Sequence, residues 1–103
     1  MKHVTYGDKS LFIDDETANL LIGYTVDLAE TGDTDTVDVH AVGADGNKVV
    51  VSLILNENAP LTAETATGEL TDFENDAAID YLRRQLGRRH HRPVPIKGDK
   101  RSR

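Results

Sequence analysis

Apolar residues recur along the chain at two spacings, and the switches between them mark its elements. Over residues 3–13 they alternate, with Val4 and Tyr6 before Gly7-Asp8 and Leu11 and Ile13 after it. Alternation is the pattern of a half-buried strand, and glycine at the first turn position supplies the positive φ of a type II′ connection. The segment predicts a β-hairpin. After Asp14-Asp15-Glu16 the period changes. Ala18, Leu21, Tyr24 and Leu28 form a helical stripe, widened by Leu20 and Ile22, and the three acids suit the positive end of a helix. Gly32 predicts its C-terminal stop. Gly23, Thr25 and Val26 are poor helix formers, so a strand across residues 20–26 is the competing reading.

Residues 36–56 predict a second hairpin. Val37, Val39 and Ala41 alternate with Asp38, His40 and Val42; Val49, Val51, Leu53 and Leu55 alternate with Val50, Ser52 and Ile54. A two-residue Asp45-Gly46 turn would set Asp38 beside Leu53 and mix both faces. A three-residue turn, Ala44-Asp45-Gly46, sets Val37, Val39 and Ala41 opposite Leu53, Val51 and Val49. A one-residue slip turns every side chain over, so the second register is expected, with Gly46 in the left-handed position of a bulge. The second strand is apolar on both faces, which predicts a central place in the sheet, because such a strand on an open edge invites aggregation. Residues 61–66 predict a further strand, with Pro60 at its start. Thr71-Asp72-Phe73-Glu74 then reads as a capping box opening a helix that carries Ala78, Ile79, Leu82 and Leu86 on one face. Gly87 is expected to close it.

The element order is ββ-α-ββ(β)-α. It predicts an α+β fold: an antiparallel sheet of four to five strands with two helices packed on one face, which buries every stripe named above. At 103 residues there is room for one domain. Its expected extent is 1–87, with 88–103 a disordered or weakly ordered basic tail, since the apolar pattern stops and two prolines follow.

Charge sharpens this division. Residues 1–82 hold 17 Asp or Glu against three Lys, a balance of −14; residues 83–103 hold nine Lys or Arg against Asp99, a balance of +8. The acidic body and basic C-terminus are the most unusual feature of the sequence. There is no cysteine, which excludes disulfides, thiolate metal sites and a thiol nucleophile. The N-terminus has no signal-peptide apolar stretch, and no run approaches the ~18 apolar residues of a membrane span, so a cytoplasmic location without membrane association is the default expectation.

Chemistry-bearing motifs are sparse. Arg83, Arg84, Arg88, Arg89, Arg92, Lys97, Lys100 and Arg101 are the candidate contacts to a protein partner or to a nucleic-acid backbone. No aromatic residue lies among them to stack on unpaired bases, and the acidic body opposes a polyanion. Asp33-x-Asp35 begins like a calcium loop, but Asp38 stands where glycine is needed and Ala44 where the bidentate glutamate is needed. Asp38 and His40 are the one candidate polar pair, two apart on a strand. The serines lack a nucleophile-elbow context, and there is no glycine-rich phosphate loop. No metal or cofactor is expected. The sequence therefore points to a non-enzymatic interaction module whose acidic body docks a basic protein partner or its own tail, with self-association a form of the same idea. The alternatives are a nucleic-acid accessory protein acting through the basic C-terminus, and a small enzyme or ligand binder near His40.

Overall fold

The computed structural model describes residues 1–67 and 74–90. Five strands and two helices follow one another: β1 (Lys2–Tyr6), β2 (Lys9–Ile13), α1 (Asp15–Thr31), β3 (Asp35–Gly43), β4 (Lys48–Leu55), β5 (Leu61–Thr65) and α2 (Asp76–His90). The strands form one antiparallel sheet in the order β4-β3-β2-β1-β5. This is the α+β architecture that the periodicities predict, with residues 61–65 as the fifth strand.

Turn chemistry sets both hairpin registers. Tyr6 pairs with Lys9 across a two-residue turn, and Gly7 has φ 63° while Asp8 keeps a negative φ, as a type II′ connection requires. In the second hairpin Val37, Val39 and Ala41 face Leu53, Val51 and Val49. Gly46 has φ 87° and donates its N–H to the Gly43 carbonyl at 3.0 Å.

α1 is a helix throughout, so the strand alternative over 20–26 is overturned. Thr25 accommodates itself by donating its hydroxyl to the Leu21 carbonyl at 2.7 Å. Asp14 caps the helix, accepting the Thr17 N–H at 3.0 Å and the Thr17 hydroxyl at 2.8 Å, and Gly32 ends it in the left-handed conformation. Ala18, Leu21, Tyr24 and Leu28 are all buried against Val4, Leu11, Ile13, Val37, Val39, Ala41, Leu53 and Leu55 from the sheet. Each of the large aliphatic side chains contributes about 1.5–3 kcal/mol on burial.

Three expectations are corrected. β4 lies at an edge of the sheet, not in its middle, because β5 adds to β1 and extends the sheet on the other side. Only one face of β4 is therefore buried: Leu53 and Leu55 are in the core, whereas Val50 is 62% and Ile54 52% exposed. Second, α2 begins at Asp76, so Glu74 precedes the helix; Thr71, Asp72 and Phe73 lie outside the described residues. Third, Gly87 does not stop α2, which runs on to His90. Arg88 and Arg89 are thus helical and not part of a detached tail.

The sheet is strongly curled. β4 and β5 lie at opposite edges, yet only residues 56–60 connect them, and that link includes a turn from the Asn56 carbonyl to the Ala59 N–H at 3.0 Å. Such a link spans less than ~20 Å even when extended, so the two edges must approach at this end. Tyr6 of β1 makes the closure visible, its hydroxyl donating to the Ile54 carbonyl at 2.5 Å.

Candidate functional site

Polar side chains gather where α1, α2 and the start of β3 meet. Asp35, the first residue of β3, accepts two phenols on one oxygen: Tyr24 of α1 at 2.6 Å and Tyr81 of α2 at 2.5 Å. Its other oxygen takes the Thr36 N–H at 2.8 Å. Burial raises the cost of ionising Asp35, but these donors, with Arg89 nearby, outweigh it and hold the carboxyl below its usual range. Burial and the Asp35 carboxylate push the Tyr24 phenol well above the ordinary tyrosine value; the hydrogen bond to Asp35 and then burial do the same to Tyr81. Both phenols are held as donors. The cluster is thus a clamp across three elements rather than an acid–base pair.

Two turns beyond Tyr81, Arg89 of α2 lies over the C-terminal end of α1. Its Nη2 donates to the Asp27 carbonyl at 3.2 Å, to the Asp33 carboxylate at 3.2 Å and to the Thr31 hydroxyl. Its Nε stands 3.6 Å from the Asp27 carboxylate. The side chain is only 17% exposed. The guanidinium also lies beside the negative end of the α1 dipole. Arg83, two turns earlier on α2, pairs with Glu16 at the other end of α1.

The sequence-predicted contacts therefore divide. Arg83 and Arg89 bind the acidic body itself, and Arg84 donates Nε to the Asp80 carbonyl one turn back at 3.4 Å. Arg88 is exposed on α2. Arg92, Lys97, Lys100 and Arg101 lie outside the described residues. Asp38 and His40 share the outer face of β3 without joining: the Asp38 carboxylate accepts the Ser52 hydroxyl at 2.5 Å, and His40 is held through its main chain. The acids of the calcium-like run are also dispersed, Asp33 to Arg89 and Thr31, Asp35 to the phenols, and Asp38 to the opposite sheet face. Among the described residues no three His, Asp or Glu converge as a metal-binding group, and no helix is long and apolar enough to cross a membrane.

Asn75 is the residue that periodicity misses. It is polar and 2% exposed. Its Oδ1 accepts the His40 N–H at 2.7 Å, and its Nδ2 donates to the His40 carbonyl at 2.8 Å and to Asp14 Oδ1 at 2.9 Å. The register of β2 against β3 explains why it is needed. Leu11 faces Gly43 and Phe12 faces Val42, so two residues further on Asp14 would face His40. There the chain leaves the sheet to cap α1. The Asn75 amide fills the gap, bonding to β3 as a strand would and passing the connection on to Asp14.

No family model, curated protein or solved structure matches this chain.

Proposed function

We propose that this chain is a small non-enzymatic interaction module whose acidic body docks arginine-bearing segments of protein. The observation that carries this reading is the seat of Arg89. The C-terminal end of α1 offers a carbonyl, a hydroxyl and two carboxylates, Asp27 and Asp33, to one guanidinium. Arginine rather than lysine suits such a divided set of acceptors, because its planar donors reach several at once. In the isolated chain its own α2 supplies the arginine; a basic segment of a partner, or of residues 91–103 of the same chain, would compete for the same acceptors. The nucleic-acid alternative draws less support, since Arg83 and Arg89 are committed to carboxylates.

The test is fluorescence anisotropy of a labelled arginine-rich peptide titrated with the full chain at low and high salt. Salt-sensitive binding is expected. Arg89→Ala, checked for an intact fold by circular dichroism, should tighten it by vacating the seat, and Asp27→Asn with Asp33→Asn should weaken it. Binding indifferent to all three substitutions overturns the reading.

A further inference from the structure

β4 is the opposite of a protected edge. Edge strands are ordinarily blunted by charge, proline or bulges. β5, at the other edge, starts after Pro60 and carries Glu64. β4 is Lys48-Val49-Val50-Val51-Ser52-Leu53-Ile54-Leu55, with one charge at its very start. Val49, Val50 and Ile54 are all exposed there, and Val26 of α1 is the one other exposed large aliphatic among the described residues.

The hydrogen-bond parity of the hairpin shows which backbone groups this edge presents. Gly43 donates its N–H to the Asn47 carbonyl at 2.9 Å, so Asn47 and the alternate residues Val49, Val51, Leu53 and Leu55 turn their peptide groups toward β3. Lys48, Val50, Ser52 and Ile54 turn theirs outward. The Tyr6 hydroxyl on the Ile54 carbonyl agrees with this and occupies the edge at that residue. Among the described residues nothing pairs with the rest of this edge, so the open stretch is Lys48 to Ser52.

We propose that two copies of the chain pair through this stretch, β4 antiparallel to β4, about a two-fold axis at Val50. The parity requires outward residues to face outward residues, so the axis must pass through a residue and not between two. Centred on Val50, the outward set Lys48, Val50 and Ser52 matches itself within the open stretch and exchanges about six main-chain hydrogen bonds. A centre at Ser52 would draw in Ile54, already engaged by Tyr6. Side chains select the same register. Val50 meets Val50 of the second copy on the outer face, and Val49 meets Val51 on the helix side. Lys48 falls opposite Ser52 of the second copy, whose hydroxyl is bonded to that copy's Asp38. The lysine thus reaches a carboxylate one strand further in, twice by symmetry. A centre at Ser52 would instead align two Asp38–Ser52 pairs with no cation between them. Isologous pairing of this kind closes on itself and caps the edge. Its small area makes it a reversible, concentration-dependent dimer. The inference is independent of the Arg89 seat, which lies on the helical side.

Sedimentation velocity of the full chain over a range of micromolar concentrations tests this. A monomer–dimer equilibrium is expected, weakened at least about tenfold by Val50→Lys, whose exposed site keeps the fold and melting temperature unchanged. Lys48→Glu should weaken it too, and Lys48→Glu combined with Asp38→Lys should restore it. Val50→Cys, the sole thiol in the chain, should oxidise to a covalent dimer, whereas Thr62→Cys on β5 should not. A chain that stays monomeric overturns the proposal and leaves the edge to a strand of another protein. A dimer indifferent to Val50→Lys also overturns it.

Discussion

Replacing Asn75 with alanine removes three hydrogen bonds from a site that water scarcely reaches. Two served the main chain of His40 and one the carboxylate of Asp14. A buried donor or acceptor deprived of its partner costs about 1–3 kcal/mol, and more where the partner is charged. Some of this is recovered, because the vacated amide leaves polar walls that can hold a water. A net loss of roughly 2–4 kcal/mol follows, a large share of the ~5–15 kcal/mol typical of a folded domain. At ~4–8 °C per kcal/mol for this size, the melting temperature should fall by roughly 10–30 °C. Thermal denaturation followed by far-ultraviolet circular dichroism, with a urea melt to confirm an unchanged m value, measures it. Asn75→Asp sharpens the test. Its carboxylate would face the His40 carbonyl and Asp14, so its folded pKa is raised. The penalty is full at neutral pH and shrinks as pH falls toward the ordinary carboxyl value near ~4, narrowing the gap to the parent chain. A melting temperature for Asn75→Ala within about 3 °C of the parent would refute the idea that this amide completes the β3 ladder.

The tyrosine clamp predicts both ends of the pH–stability profile. The depressed Asp35 carboxyl contributes stability that is fully present above its unfolded value near ~4 and is lost as pH falls through its folded value; Asp35→Asn should flatten that acid limb in urea melts. The raised phenols contribute stability present below ~10 and lost as pH rises through their folded values, and absorbance titration should show phenols ionising above the ordinary tyrosine range, a delay that Asp35→Asn reduces. Tyr24→Phe or Tyr81→Phe should each cost about 1–2 kcal/mol, a bond to a charged group discounted for partial exposure. Gly87→Ala should stabilise the chain by about 0.5–1 kcal/mol, because a Cβ there meets nothing and α2 continues through the position; a loss of stability would contradict the helix.

Local signals decide the structure wherever they are strong on their own. The bulged turn at Gly46 and the even match of Val37, Val39 and Ala41 with Leu53, Val51 and Val49 left one register, and the structure has it. The stripe Ala18–Leu21–Tyr24–Leu28 outweighed the poor intrinsic propensities of Gly23, Thr25 and Val26, as burial usually does. What failed depended on neighbours far away in sequence. The edge position of β4 follows from β5 joining β1, a pairing that nothing in either strand announces. Asn75 looks like an ordinary loop asparagine until β2 is seen to leave β3 two pairs after they meet. The seat of Arg89 depends on α1 and α2 lying side by side. In sequence it is one arginine among several, and Gly87 just before it signals an end that does not come.

That last miss changes the meaning of the charge split. Read along the chain, the acidic body and the basic terminus look like two objects, one of them without a structural purpose. In space the boundary is an interface. Glu16 and Asp27 stand on α1 where Arg83 and Arg89 of α2 arrive, so opposite charges meet near both ends of α1. The exposed Arg83–Glu16 pair is worth little, at most about 1 kcal/mol. The half-buried Arg89 is different, since its neighbours lose water to receive it and a wrongly placed α2 would leave them without it. Charge here orients α2 more than it stabilises the fold. It follows that an arginine-bearing partner at this end of α1 must displace an internal arginine before it gains anything. Docking there would be switch-like and coupled to the end of α2, whereas pairing through β4 would leave both helices untouched.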